Sequence, residues 1–144
     1  MRHRLGIFIL AAFMILFVGC NPIADKSSAE SVMNEYFAAI KDKDFDKALG
    51  FYSQQFFDKT SRESWNQSLR AVNSKLGDLQ SYEQTGWRIQ ATTGLGPAGT
   101  WFIFQYRVTY SKYPSDEEVI LFKPAGSNEI KILQHQIMSE AFLK

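Results

Sequence analysis

Apolar residues recur along this chain with two different periods, and the change of period divides it. From residue 29 to 76 they fall at helical spacing. Val32, Met33, Tyr36, Phe37 and Ile40 share one face of a predicted first helix. Ser27 and Glu30 form a capping-box pattern that places its start near Ser27 or Ser28. After Lys41-Asp42-Lys43, Asp44 is set to cap a short second helix that buries Phe45, Ala48, Leu49 and Tyr52. Residues 54–59 read as a connection, with Phe56 and Phe57 turned inward. Thr60 and Glu63 offer another capping box. A third helix follows, with Trp65, Leu69, Val72 and Leu76 on one stripe and Gly77 as terminator.

Beyond Gly77 the period becomes two. Residues 79–92 read as a strand bent near Gly86. The cluster from Gly94 to Gly99 is a hairpin turn. In the clearest strand, Phe102, Phe104, Tyr106, Val108 and Tyr110 lie on one side, with Trp101, Ile103, Gln105, Arg107 and Thr109 on the other. A turn over residues 113–116 leads to strands at 118–123 and 130–138. Three helices followed by about four strands with short links predict an α+β layer, helices on one face of an antiparallel sheet.

The first 19 residues follow neither pattern. Arg2 and Arg4 precede a nearly unbroken apolar run over residues 5–18, then Gly19-Cys20. Basic start, apolar run and small residue are the layout of a secretory signal peptide. The run is shorter than the roughly 20 residues a membrane span needs. Phe17-Val18-Gly19-Cys20 resembles a bacterial lipobox. That resemblance implies cleavage before Cys20, acylation of its thiol, and attachment to the membrane through the lipid. Phe17 and Val18 depart from the usual Leu and Ala or Ser. Asn21, in place of Asp, implies sorting to the outer membrane, facing the periplasm. The expected division is a signal peptide over 1–19, the lipidated Cys20 with a polar tether over 20–28, and a domain over 29–144.

Within that domain, Tyr36-Phe37-Ala38-Ala39-Ile40, the run from Lys43 to Leu49, and Tyr52-Ser53 resemble the NTF2-like superfamily. So do Trp65, Leu76-Gly77 and the aromatic strand. The fold this implies is a cystatin-like cone, a curved sheet wrapped around the helices. The likeness is nearest to small exported domains of unknown function. In the superfamily the open end of the cone can hold a ligand pocket or an active site, and the outer sheet face often carries a dimer contact.

Composition adds exclusions. The chain has 144 residues with a formal charge of +1, and acids and bases are mixed along it. Removing Arg2 and Arg4 leaves 14 basic against 15 acidic side chains. No basic stripe points to nucleic acid. Cys20 is the single cysteine, so no disulfide forms within the chain and no Cys/His metal set exists beyond it. Asp42, Asp44 and Asp46 lack the glycine and terminal glutamate of a calcium loop, and read as a solvated turn. Glu117-Glu118 reads as a charge pair at a strand edge. Arg88 and Arg107 read as cross-strand or solvated charges. No cofactor is implied.

His135 is the one histidine left after cleavage. It reads either as a pocket acid or base, or as a half-exposed strand residue. With Tyr36, Phe102, Phe104 and Tyr106 it makes the set of pocket candidates. Trp101, Ile103 and Gln105 lie opposite the helix-facing aromatics, and apolar groups on that face suggest a protein contact, a second copy or an envelope protein. No residue is assigned a catalytic role. The expectation is a membrane-anchored, non-enzymatic binding or assembly module. The alternatives are a pocket for a small apolar ligand and an isomerase- or dehydratase-like enzyme.

Overall fold

In the computed structural model, which describes residues 22–144, the first helix α1 runs over Pro22–Lys41. It begins well before Ser27. Proline suits a first helical position because its missing N–H would have no partner there. Ser27 and Glu30 therefore lie inside the helix, and Glu30 pairs with Lys26 one turn back. Residues 22–28 are thus helical rather than a polar tether. The expected signal peptide and Cys20 lie outside the described residues. Ala29, Met33, Tyr36, Phe37 and Ile40 form the buried face of α1.

Helix α2 (Phe45–Leu49) is capped as expected: the Asp44 side chain accepts from the Lys47 N–H at 3.0 Å. Residues 54–59 hold one turn of helix, α3 (Gln54–Phe57), rather than a plain connection. The Ser53 hydroxyl caps it at 3.1 Å from the Phe56 N–H. Helix α4 (Arg62–Leu76) is capped by Ser61, one residue after the expected Thr60. It ends at Gly77, whose φ of +92° is costly for a residue with a Cβ. Among the described residues four helices therefore precede the sheet, one more than expected. Among the described residues, none is long and apolar enough to cross a membrane.

The sheet is an antiparallel meander in the order β1 (Leu79–Thr92), β2 (Gly99–Tyr110), β3 (Pro114–Pro124), β4 (Lys131–Met138). A register shift between Gln84 and Gly86 supplies the expected bend in β1. On β2, Phe102, Phe104, Tyr106, Val108 and Tyr110 are all buried against the helices. Strand β3 begins at Pro114, four residues earlier than expected. This brings Ser115 and Glu117 into the ladder opposite Val108 and Tyr106. At the β4 edge the chain around Tyr52 adds a short parallel bridge, with Ser53 N–H donating to Ile132 C=O and Ile132 N–H to Phe51 C=O, both at 2.9 Å. A final turn of 3-10 helix, Glu140–Leu143, buries Ala141.

Candidate functional site

Alternation along β3 places Ser115, Glu117, Val119 and Leu121 on its inward face. Glu117 is therefore not a strand-edge charge. It is 2% exposed, with its carboxylate inside the core. His135 on β4 points into the same space with a fully buried side chain, not half-exposed. Its Nε2 lies 2.9 Å from Glu117 Oε2. The other carboxylate oxygen, Oε1, accepts from the Tyr110 hydroxyl at 2.9 Å and the Ser115 hydroxyl at 2.8 Å.

The far side of the imidazole faces two tyrosines. Tyr52, at the β4 bridge, has its hydroxyl 2.7 Å from His135 Nδ1. Tyr36, on α1, reaches the same nitrogen at 3.5 Å and shares a 3.2 Å hydrogen bond with Tyr52. Since the carboxylate only accepts, Nε2 carries the ring proton. In a neutral ring, Nδ1 then accepts from the Tyr52 hydroxyl. Tyr36 and Trp65 pack edge-on to the imidazole, and the Tyr52 ring stacks near it.

Burial pushes the Tyr36, Tyr52 and Tyr110 hydroxyls well above the ordinary tyrosine range. The Tyr52 hydroxyl and the Glu117 carboxylate add to the rise at Tyr36, and Glu117 adds to that at Tyr110. At Tyr52 the hydrogen bond to Tyr36 and the nearby Trp65 N–H offset part of it. The buried Trp65 Nε1 has no hydrogen bond of normal geometry, so its effect on Tyr52 is one of proximity. These phenols are held as neutral donors. The arrangement is a carboxylate–imidazole–phenol chain in which Glu117 fixes the ring and the ring meets Tyr52. Tyr52 borders a cleft of about 410 Å³ with Ser53, Gln54 and Lys131, and at the opposite end Ser115 borders one of about 680 Å³.

The expected pocket set divides in two. Tyr36 and His135 meet in this cluster. Phe102 and Phe104 have no exposed surface, and with Tyr106 they form the aromatic core, 6.2 to 6.3 Å between successive ring centres. The sequence does not mark Glu117 and the Tyr52 hydroxyl as partners of His135, nor Ser115 and Tyr110 as donors to Glu117. The alternation Ser115, Glu117, Val119, Leu121 carried the signal, had the strand been started at Pro114.

On the outer sheet face, Trp101 and Ile103 are half-buried and Gln105 is exposed. Trp101 packs on Phe122, and with Ile103, Ile120 and Leu133 it lines a shallow cleft of about 240 Å³. Beyond this apolar half the face turns polar: Gln105 bonds Glu118 at 3.3 Å, and Arg107 pairs across strands with Asp116 at 2.7 Å. At the Asp-rich turn, Asp44 caps α2 and Asp46 accepts from Asn66 at 2.9 Å. Among the described residues, no group of three or more His, Cys, Asp or Glu side chains could hold a metal ion.

An α+β domain with an open four-stranded antiparallel sheet, four helices and a buried Glu–His–Tyr cluster is thereby defined. Residues 32–131 match the family described as a protein of unknown function (DUF4019), and the chain belongs to that family. Glu117, Tyr36, Tyr52, Tyr110 and Ser115 fall within the matched span, and His135 lies just past it. The fold is similar to that in the structure of Bdellovibrio bacteriovorus Bd1075, with a TM-score of 0.55 at 14% identity. The similarity covers 83% of this chain and 43% of that one, so this chain spans less than half of that protein. No curated protein matches the sequence.

Proposed function

We propose that this chain is a lipid-anchored protein of the bacterial envelope, whose NTF2-like domain is a non-enzymatic binding or assembly module. In this reading Cys20 carries the lipid, residues 1–19 are removed on export, and the domain faces the periplasm from the outer membrane. The anchor rests on the lipobox resemblance at Cys20; the observation that carries the binding-module reading is the buried interior. The side chains that would line a ligand pocket in a cone, Tyr36, Phe102, Phe104, Tyr106 and His135, are at most 8% exposed, Tyr36 packing on His135 and Phe104 on Phe102 and Tyr106. A binding function then belongs to the surface. The apolar half of the outer sheet face, Trp101, Ile103, Ile120 and Leu133, supplies a contact for a second copy or an envelope protein. A pocket for a small apolar ligand is the weaker reading, since a ligand would have to displace Phe102 and Phe104.

Two experiments test the two halves. Membrane fractionation of cells expressing Cys20→Ser should find the protein released or left unprocessed; a processed, membrane-bound variant would refute the anchor. In-cell cross-linking should trap the protein in a larger species, and Trp101→Asp with Ile103→Asp should abolish it while the folded spectrum persists. A cross-linked species untouched by both changes removes the outer face from the proposal.

An isomerase- or dehydratase-like site is a second reading, favoured by the Glu117–His135–Tyr52 chain ending beside the 410 Å³ cleft. Small carbonyl compounds added to the protein would then shift the His135 ring resonances in NMR spectra. Resonances that stay in place dismiss it.

A further inference from the structure

The start of α1 and the loop end of the sheet come together. Asp25, in the first turn of α1, accepts from Lys123 at the end of β3 at 2.6 Å. Lys26 sits 4.8 Å over the ring of Trp87, which lies in the half of β1 toward this loop end. The β1–β2 loop (residues 93–98) and the β3–β4 loop (residues 125–130) therefore share this end of the domain with Ile23.

Apolar surface is exposed there. Leu95, at the tip of the β1–β2 loop, is fully exposed, Ile23 is 79% exposed and Trp87 58%. Charged side chains at this end pair with one another: Asp25 with Lys123, Lys26 with Glu30, and Glu129 with Lys131 at 3.6 Å. An end with exposed Leu and Ile tips, a Trp–Lys pair and no charge excess suits the boundary of a lipid bilayer.

Chain length says what covers it. Pro22, the first residue of α1, is two residues from Cys20, so the two Cα atoms lie no more than about 7 Å apart. A lipid on Cys20 would enter the bilayer that close to the helix. We propose that this end rests on the lipid surface, with Leu95 and Ile23 in the interface, so that the anchor holds the domain end-on instead of on a loose tether. The inference rests on the lipid anchor proposed above. With α1 about 30 Å long, the β2–β3 turn at Lys112 stands well clear of the membrane. The outer sheet face is then presented sideways, open to a neighbour on the same membrane.

The test uses the full lipidated chain in phosphatidylethanolamine–phosphatidylglycerol vesicles. Leu95→Cys and Lys112→Cys are each labelled with an environment-sensitive fluorophore; Cys20, acylated, does not compete. Flotation shows whether the chain is anchored. Insertion of about 5–10 Å should blue-shift the label at position 95, and spin-labelled lipids should quench it at least ~2-fold more than the label at 112. A chain that does not float refutes the anchor and the orientation with it. A floating chain whose two labels respond alike overturns the orientation alone. A blue shift at 95 that the spin-labelled lipids leave unquenched places protein, not lipid, against this end, and also overturns it.

Discussion

Glu117 keeps a carboxylate out of water by meeting three donors, Ser115, Tyr110 and His135, at 2.8 to 2.9 Å. Their bonds offset its desolvation, and its removal would leave all three without an acceptor in a dry site. Breaking such a buried set by deleting one partner costs about 3–5 kcal/mol. Glu117→Ala should therefore lower the unfolding free energy by that order in urea denaturation. Glu117→Leu combined with His135→Phe should cost less than the sum of the single changes, because the second change no longer strands a partner. Additive losses would show that the two side chains are not coupled. In the sequence Glu117 is indistinguishable from its half-buried neighbour Glu118. Only the parity of the strand separates them, and a start placed at Glu118 rather than Pro114 hides it.

At the scale of elements, caps and turns were mostly legible because they are local chemistry. Asp44, Gly77 and the bend at Gly86 act within a few residues of themselves. At the start of α4 one local cap, Ser61, replaces another, Thr60; at the start of α1 a local signal is outweighed by a contact from elsewhere. Ser27 and Glu30 suit a cap, yet Asp25 is held to β3 by Lys123, and the helix includes both. Gly77 has a tertiary role as well as a local one. Besides its positive φ, a Cβ there would run into the Ser111 hydroxyl and the Lys112 backbone. Gly94, with φ of +114°, faces open space. Gly77→Ala should thus destabilise by about 2 kcal/mol or more, and Gly94→Ala by about 1 kcal/mol. Equal losses in denaturant titrations would mean that the β2–β3 turn yields to the new methyl group.

Over the whole molecule the helices and sheet meet through phenols as much as through aliphatic side chains. Tyr36, Tyr52, Tyr106 and Tyr110 are each at most 6% exposed, and burial raises the pKa of all four above the ordinary value of 10.0. In the unfolded chain they ionise near pH 10; in the folded one they stay protonated well beyond it. The folded state then holds more protons, so the contribution is complete below pH 10 and is lost as the pH rises above it. Tyrosinate absorbance from these residues should appear together with loss of the folded circular dichroism signal, in a single alkaline transition. Ionisation of all four without unfolding would show that the phenols are open to hydroxide.

The succession of helices before strands, the inward aromatics of β2 and the Leu76–Gly77 boundary were written in the sequence, because hydrophobic period and turn chemistry act over a few residues. What surrounds His135 was not. Its partners come from α1, the bridge at Tyr52, α4 and β3, up to 99 positions away. No local pattern encodes that meeting; it arises when the sheet register turns Ser115, Glu117 and His135 to the same side and the helices close over them. The tertiary structure alone decided that Tyr36 and His135 meet in a buried, hydrogen-bonded cluster.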